Sequence, residues 1–343
     1  MYKKFFKIAV TLFLILVAVL VSFLGVVYYT VQSHAFAIQQ TTYIYVDEPK
    51  DYAKLLEQLQ SKGQLKNTVL FNTLAKQKKY PQNMKTGRFA ITPQTSYLQA
   101  VYLLRGGRQT PVKLTFNNIR LKSDFVRRIG EQLMLNPDDL LMRLNDENIA
   151  ASYGFDTTTF LTMFIPNTYE MYWNLPVDKF LERMKKEYTH FWTKERLAKA
   201  EALHLSPAEI AILASIVEEE TNARAEYPVV AGLYLNRLKK GMLLQADPTV
   251  KFAVGDVTLR RILHAHLQVE SPYNTYIHRG LPPGPIRIPS ITVLDAVLNY
   301  REHDYIYMCA KEDFSGTHNF AVTFSEHTRN AQKYQRALNT LGL

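Results

Sequence analysis

The hydrophobic pattern begins with one long apolar run near the N-terminus. No charged residue occurs from Ile8 to Tyr29, and at about 1.5 Å per residue a helix of that length crosses a bilayer core of roughly 30 Å. Three lysines precede the run: Lys3, Lys4 and Lys7. By the positive-inside rule we expect residues 1–7 in the cytoplasm, a transmembrane helix over 8–29, and export of the rest. The alternative is a signal peptide cleaved near Ala37, although such peptides have only roughly 7–15 apolar residues.

After an expected linker over residues 30–40, the pattern changes to short strands and short helices. Residues 41–46 and 87–91 are strand-like. Asp51 can cap a first helix, which glycine ends about three turns later, and a second helix is expected from about residue 67 to 78. Residues 41–108 are therefore predicted to form a small subdomain with the order strand, helix, helix, strand.

The remainder, residues 109–343, mixes helices and strands and has no internal repeat. Ser206-Pro-Ala-Glu209 is a capping box with proline at the first helical position, so a helix begins there. A partner helix is expected over about 228–240, and a short helix is expected to start at Asp247. The predicted fold class is α+β, with a single N-terminal transmembrane helix, the small subdomain and a mixed α+β domain.

Three consecutive carboxylates, Glu218, Glu219 and Glu220, end the apolar stretch of the helix that begins at Pro207. At about 100° per residue, Glu220 points within roughly 15° of the mean direction of the apolar side chains, and the other two point more than about 100° away. A carboxyl group among apolar neighbours has a raised pKa and stays protonated near neutral pH, as a general acid requires. The alternative is a helix end that runs into solvent.

Composition and charge narrow the range of partners. The chain is 47% hydrophobic and 21% charged, which suits a folded core, and its formal net charge is +10. An exported chain does not meet nucleic acid, so we expect anionic lipid headgroups or an anionic cell-wall polymer as partners. Cys309 is the only cysteine, which excludes an intrachain disulfide, and its strand-like surroundings predict a buried, inert thiol.

Five segments, in this order and spacing, resemble the endolytic murein transglycosylases of the YceG-like family. They are Leu213-Ala-Ser-Ile-Val-Glu-Glu-Glu-Thr221, Leu244-Gln-Ala-Asp-Pro-Thr-Val250, Ser271-Pro-Tyr-Asn-Thr-Tyr276, Gly280-Leu-Pro-Pro-Gly-Pro-Ile286 and Gly316-Thr-His-Asn-Phe320. The resemblance covers the apolar run and nearly all of the exported part. Two positions depart from the family pattern: Asn117-Asn118 replaces an acidic residue followed by glycine, and Asn167 replaces an aspartate.

The resemblance implies a LysM-like subdomain over 41–108 and a catalytic domain over 109–343, held outside the cell membrane by a single-pass anchor. It also implies cleavage of the β-1,4 bond between N-acetylmuramic acid and N-acetylglucosamine in nascent strands. The product would carry a 1,6-anhydro end, and strand elongation would stop there. The implied partners are peptidoglycan strands, the membrane and peptidoglycan synthases, with no cofactor.

The family's catalytic glutamate immediately precedes a threonine, which places that role on Glu220, the residue that the helical face also selects. The substrate-binding candidates in the family motifs are Gln245, Asp247, Tyr273, Asn274, Tyr276 and His318. Asp247 could instead cap a helix, Asn274 could form a turn, and His318 could order its loop. No metal site is expected, because His264 and His266 lack a matching set of Glu or Cys ligands.

Two other functions compete with this one. A glycoside hydrolase commonly uses two carboxylates, whereas a lytic transglycosylase can use one, because the C6 hydroxyl of the muramic acid attacks in place of water. The second competitor is a non-catalytic, membrane-anchored scaffold that binds glycan and recruits enzymes of wall synthesis.

Overall fold

The computed structural model describes residues 2–256, 259 and 262–341; Met1, the first residue of the expected cytoplasmic segment, lies outside them. The helices are α1 (Tyr2–Gln32), α2 (Tyr52–Ser61), α3 (Thr68–Gln77), α4 (Tyr97–Gly106), α5 (Lys122–Gly130), α6 (Pro137–Leu144), α7 (Glu147–Ser152), α8 (Val177–Phe191), α9 (Lys194–Ala202), α10 (Pro207–Glu220), α11 (Tyr227–Lys239), α12 (Asp247–Val254), α13 (Ile291–Leu298) and α14 (Phe324–Thr340). The strands are β1 (Thr42–Val46), β2 (Gly87–Ile91), β3 (Val112–Thr115), β4 (Thr168–Met171), β5 (Tyr307–Ala310) and β6 (His318–Ala321). They pair as β1 with β2, β3 with β4 and β5 with β6.

The chain divides into two compact units. The first comprises Met1–Lys113, Gln132–Met134 and Glu170–Leu175. The second comprises Leu114–Glu131, Leu135–Tyr169 and Pro176–Leu343.

In the first unit, α1 is the one helix among the described residues that by itself is long and apolar enough to cross a membrane, and none of the membrane-length window is buried. After α1, Ala35 and Phe36 are fully buried in the core of this unit. Phe36 also forms a β-bridge with Leu65. The segment that follows the apolar helix is therefore part of the folded core.

The rest of the first unit has the predicted order of strand, helix, helix, strand. Strands β1 and β2 are antiparallel, with Thr42 opposite Ile91. Asp51 caps α2 as the sequence predicts, because its carboxylate accepts hydrogen bonds from the backbone N–H groups of Ala53 and Lys54. The apolar faces of both helices pack on the sheet around Phe71 and the other core residues.

In the second unit, α10 forms the centre of the core. Every residue from Ile210 to Val217 is buried, and α11 and α13 pack against the helix. The predicted capping box is present: the Ser206 hydroxyl accepts from the Glu209 N–H, and the Glu209 carboxylate accepts from the Ser206 N–H. The capping box fixes the start of α10. The buried residues that follow hold the helix in the core, and with it the position of its last residue, Glu220.

The predicted class, a mixed α+β protein with one N-terminal apolar helix, is confirmed. Element boundaries lie close to the predicted ones; for example, the partner helix expected over about 228–240 spans Tyr227–Lys239. The Phe164 ring lies in the core, where it packs against Phe125 and Phe180 at centroid distances of 4.4 and 6.1 Å.

Candidate active site

Glu220 is the last residue of α10, and its side chain opens into a cavity of about 220 Å³ in the second unit. We call this space the Glu220 cavity. Its polar lining consists of Glu220, Tyr234, Arg237, Gln245, Asp247, Tyr276 and His318. The remaining wall comes from Leu233, Leu244 and the β5 residues Met308, Cys309 and Ala310. Four of the six predicted substrate-binding residues therefore surround the predicted acid.

The Glu220 carboxyl group has a pKa of about 7, and burial is the main cause of the rise from its ordinary value. The negative charge of Asp247 raises the pKa further. A hydrogen bond from Tyr234 and the positive charges of Arg237 and Lys251 act in the opposite direction. The result is a carboxyl group that both gives up and takes back a proton near neutral pH.

The two neighbouring glutamates are held in ion pairs. Arg287 Nη1 lies 2.7 Å from Glu219 Oε1, and Arg287 Nε lies 3.2 Å from Glu218 Oε2. Arg120 approaches Glu219 with two nitrogens, at 3.1 and 2.8 Å. The alternative of a solvated helix end is therefore wrong, since the Glu218 and Glu219 side chains are only 10% and 16% exposed. Of the three acids, Glu220 alone has no ion pair within the described part of the chain.

Asn118, one of the two departures from the family pattern, joins this network. Its φ of 51° lies in the left-handed region that glycine favours, and asparagine is among the residues that tolerate it best. Its side-chain oxygen accepts a hydrogen bond from Arg287 Nη2 at 2.9 Å. The asparagine thus keeps the backbone conformation of a glycine and adds a contact to the arginine that binds Glu218 and Glu219.

Helix α11 supplies two site residues that the sequence did not reveal. Tyr234 is 2% exposed, and its hydroxyl donates to Glu220 Oε1 at 2.6 Å. Arg237, one turn later, donates to the backbone oxygens of Leu244 and Ile306, both at 2.7 Å. The sequence offered one signal for them. Tyr234 and Arg237 lie three residues apart on a helix face that also carries Val230 and Leu233, and polar side chains buried on such a face need hydrogen-bond partners.

Asp247 and Tyr276 contact each other at the mouth of the cavity. The Tyr276 hydroxyl donates to Asp247 Oδ1 at 2.6 Å. The N-cap of α12 is Ala246, not Asp247, so the carboxylate is not consumed by capping and faces the cavity. Gln245 precedes it at a φ of 50°, a strained conformation for glutamine that its backbone hydrogen bond to Thr275 O supports.

His318 also lines the cavity, at the start of β6, and Glu226 binds it. The Glu226 carboxylate accepts from the His318 N–H at 2.8 Å, and His318 Nδ1 lies 2.9 Å from Glu226 Oε2. The same carboxylate accepts from the hydroxyl of Thr221, the residue after Glu220, at 3.0 Å. Glu226 therefore connects the end of the Glu220 helix to strand β6, which contributes His318 to the cavity.

The other two predicted substrate contacts lie elsewhere. Asn274 is fully buried, and its side-chain amide donates to the backbone oxygens of Leu267 and Val269 while its oxygen accepts from the Tyr276 N–H. This geometry is that of a turn-forming residue, the alternative named above, and it leaves no atom for a substrate. Tyr273 lines a different cavity, together with Phe252.

The arrangement places one protonatable carboxyl group, one carboxylate and several hydrogen-bond donors around a space the size of part of a sugar. Within the described residues, no three His, Cys, Asp or Glu side chains are grouped as metal ligands. Such a site can protonate a leaving oxygen and stabilise the positive charge that develops at the neighbouring carbon.

The family model for YceG-like proteins matches residues 44–333, a range that includes every residue of this cavity. The chain belongs to the YceG-like family. A Bacillus subtilis protein named endolytic murein transglycosylase is 38% identical over 135 residues, which is 39% of this chain and 37% of the relative. A Streptococcus pneumoniae protein of the same name is 22% identical over 310 residues, covering 80% of this chain and 55% of the relative.

The chain therefore spans 37% of the length of the first of these curated relatives and 55% of the second. A crystal structure of a YceG-like protein from Listeria monocytogenes superposes with a TM-score of 0.58 at 24% identity, covering 85% of this chain and 99% of that one. That similarity establishes the fold.

Proposed function

We propose that this protein is a membrane-anchored, endolytic lytic transglycosylase of peptidoglycan, with Glu220 as its single catalytic acid and base. The observation that carries the proposal is the environment of Glu220. Its carboxyl group has a pKa of about 7, faces a polar cavity and is paired with a tyrosine rather than with a cation. The name shared by these relatives, endolytic murein transglycosylase, agrees with this chemistry.

In the proposed reaction, protonated Glu220 gives its proton to the glycosidic oxygen between N-acetylmuramic acid and N-acetylglucosamine. The bond from that oxygen to the anomeric carbon breaks, and an oxocarbenium-like charge develops on the muramic acid. The Glu220 carboxylate then takes the proton of the C6 hydroxyl as the C6 oxygen bonds to the anomeric carbon. The 1,6-anhydro end forms, Glu220 is protonated again, and no water is consumed.

Within this proposal, the polar residues of the cavity have separate tasks. The Asp247 carboxylate, held by Tyr276, faces the developing positive charge. Tyr234 orients the Glu220 carboxyl group through its short hydrogen bond. Gln245 and His318, which both line the cavity, offer hydrogen bonds to sugar hydroxyl or acetamido groups.

The anchor, the subdomain and the partners belong to the same proposal. We infer that α1 stays attached, because cleavage after Ala37 would remove Ala35 and Phe36 from the core of the first unit. We also propose that residues 41–108 are a LysM-like glycan-binding subdomain, which the βααβ order and the antiparallel β1–β2 pairing support. Residues 1–7 would be cytoplasmic, 109–343 catalytic, and peptidoglycan synthases the accompanying enzymes on nascent strands.

A hydrolase is a second candidate, because Asp247 brings a second carboxylate into the Glu220 cavity. Two carboxylates on one glycosidic bond are the usual equipment of glycoside hydrolases. The products separate the two reactions: hydrolysis leaves a reducing end, and transglycosylation leaves an anhydro end that is one water lighter.

The test is digestion of purified peptidoglycan by the full chain in detergent, followed by mass spectrometry of the products. A fragment that begins at residue 38 would lack core residues and is unsuitable. We expect internal cleavage with anhydro ends, and loss of at least about a thousandfold in kcat for Glu220→Gln. Glu201→Gln, the same change on exposed α9, is the matched control. Equal activity of Glu220→Gln would remove Glu220 from its role, and no digestion by the wild-type chain would favour the scaffold.

A further inference from the structure

A second cavity, of about 330 Å³, shares helix α12 with the Glu220 cavity but none of its lining residues. We call it the lateral cavity; its wall includes Arg120, Lys122, Asn145, Thr158, Phe252 and Tyr273. A smaller space of about 130 Å³ shares Arg120 and Phe252 with the lateral cavity and is also lined by Glu219 and Lys251. Helix α12 contributes Asp247 to the Glu220 cavity and Phe252 to the lateral cavity, a separation of about 7.5 Å at 1.5 Å per residue.

The lateral cavity contains a cation without an acidic partner. Lys122 Nζ donates to Leu144 O and to Asn145 Oδ1, both at 2.8 Å and both neutral acceptors. Within the described part of the chain, no carboxylate lies in ion-pair distance of Lys122. Because an ammonium group has three N–H donors, one remains for a ligand. Burial lowers the Lys122 pKa, so a bound anion is favoured in place of the water that this cation has lost.

The acids nearest to the lateral cavity are already satisfied. Asp156 Oδ1 accepts from the backbone and hydroxyl of Thr158 and from the backbone of Thr159, at 2.6 to 2.8 Å. Glu219 is neutralised by Arg120, which also lines the cavity. Asp156 keeps its negative charge and acts on Lys122 from beyond ion-pair distance. Among the described residues, no carboxylate accepts the remaining N–H of Lys122.

An aromatic wall faces this cation. The rings of Phe252 and Tyr273 pack at a centroid distance of 4.7 Å. The loop over residues 280–286 packs closely on Tyr273: a Cβ at Gly284 would come within 2.8 Å of the Tyr273 hydroxyl and 2.5 Å of Thr158 O. Only glycine permits this close approach. The wall is therefore formed by a closely packed pair of rings.

We propose that the lateral cavity binds the stem peptide carried by muramic acid, with a peptide carboxylate on Lys122 and aliphatic peptide atoms on Phe252 and Tyr273. This inference rests on the proposed function. The stem peptide branches away from the glycan and carries carboxylates, so it needs a basic space beside the cleavage site. Further sugars of the strand are neutral or carry their charge as peptide, and they gain nothing from the free N–H of Lys122.

The experiment compares two substrates with the full chain in detergent: uncrosslinked strands that retain their stem peptides, and the same strands after an amidase has removed the peptides. For the wild-type chain we expect kcat/KM to be about tenfold higher on the peptide-bearing strands, which corresponds to about 1.4 kcal/mol. Lys122→Met should bring the ratio of the two kcat/KM values close to one, mainly through KM, and Lys122→Arg should restore most of it. Lys186→Met, the same change at an exposed position of α8, should keep the wild-type ratio.

A wild-type ratio of one would overturn the proposal while leaving the transglycosylase function intact, and this measurement needs no folded variant. An equal loss on both substrates in Lys122→Met would also overturn it, because the lysine would then serve the fold or the glycan. If the wild-type chain digests neither substrate, the proposed function fails and this inference fails with it.

Discussion

The Tyr234 hydroxyl lies 2.6 Å from Glu220 Oε1 and is fully enclosed by the core of the second unit. Burial and the neighbouring Glu220 charge raise the Tyr234 pKa well above its ordinary value, so this hydroxyl keeps its proton and acts as the donor. Its bond stabilises the carboxylate form of Glu220, whereas burial favours the protonated form. The balance between these two effects sets the pKa of Glu220, and so the pH range over which it carries a proton.

Removing the Tyr234 hydroxyl should therefore change the pH profile. In Tyr234→Phe the carboxylate loses its donor, and the Glu220 pKa should rise above about 7. A hydrogen bond to a charged group contributes about 1.5–3 kcal/mol, and 1.36 kcal/mol is one pKa unit. We expect the basic limb of kcat/KM to move up by about one pH unit, as measured from initial rates of anhydro-product formation. An unmoved limb in a folded variant would show that Tyr234 has only a packing role.

Asp247→Asn should move the same limb in the opposite direction. The Asp247 charge raises the Glu220 pKa, so its removal should lower that pKa and bring the basic limb to lower pH. Asparagine can still accept the Tyr276 hydrogen bond. We also expect kcat to fall by about ten- to a hundredfold, because in the proposed reaction Asp247 faces the developing positive charge. A shift in the same direction as Tyr234→Phe would contradict this account of the site.

The parts of this fold that local sequence determines could be predicted. The capping box at Ser206 and the cap at Asp51 place α10 and α2 within a residue of their predicted starts. Both signals act within one helical turn, so they depend on no distant residue. The mixed α+β class and the strand, helix, helix, strand order of β1, α2, α3 and β2 followed from such signals.

The distinction among the three glutamates could not be predicted in the same way. The helical-face argument assumed an apolar stripe, but α10 is buried on all sides, including Ala211 and Ala214. What separates Glu220 is its partner, Tyr234, whereas Glu218 and Glu219 are paired with Arg287. These partners are distant in sequence or lie on another helix, and no local spacing encodes them.

The motif around Tyr273 shows a second limit. Tyr273, Asn274 and Tyr276 are close in sequence and were assigned one role, but a tight turn directs them into three environments. Asn274 closes the turn, with its N–H bonded to Ser271 O at 2.9 Å. Tyr276 reaches the Glu220 cavity and Tyr273 reaches the lateral cavity. Membership of one motif therefore did not predict which of these residues line the Glu220 cavity.

The raised pKa of Glu220 also makes a prediction about stability. The carboxyl group titrates near 4.5 in the unfolded chain and near 7 in the folded one. Between these values the unfolded chain loses its proton and the folded chain keeps it, so this group's contribution to stability is lost as pH rises through about 7. Glu220→Gln should therefore be about 3 kcal/mol more stable than wild type at about pH 8, and nearly equal at about pH 4.5.

Denaturant unfolding at the two pH values, followed by tryptophan fluorescence, measures this difference. Gln keeps the acceptor for Tyr234, so the change isolates the buried charge. Glu201→Gln, on exposed α9, should show no such pH dependence. An equal effect of Glu220→Gln at both pH values would mean that Glu220 has an ordinary pKa in the folded protein.

Cys309 provides a chemical probe of the cavity. The sequence predicted a buried thiol, but the residue is half-buried and its side chain lines the Glu220 cavity. Burial raises its pKa, so alkylation should be slow at neutral pH and faster in alkali. We expect a bulky maleimide to block peptidoglycan digestion by at least about tenfold, excess glycan strands to slow the labelling, and Cys309→Ala to lose the sensitivity. Labelling of this single cysteine with no loss of digestion would contradict the assignment of the cavity as the substrate site, because the adduct would fill the space beside Glu220.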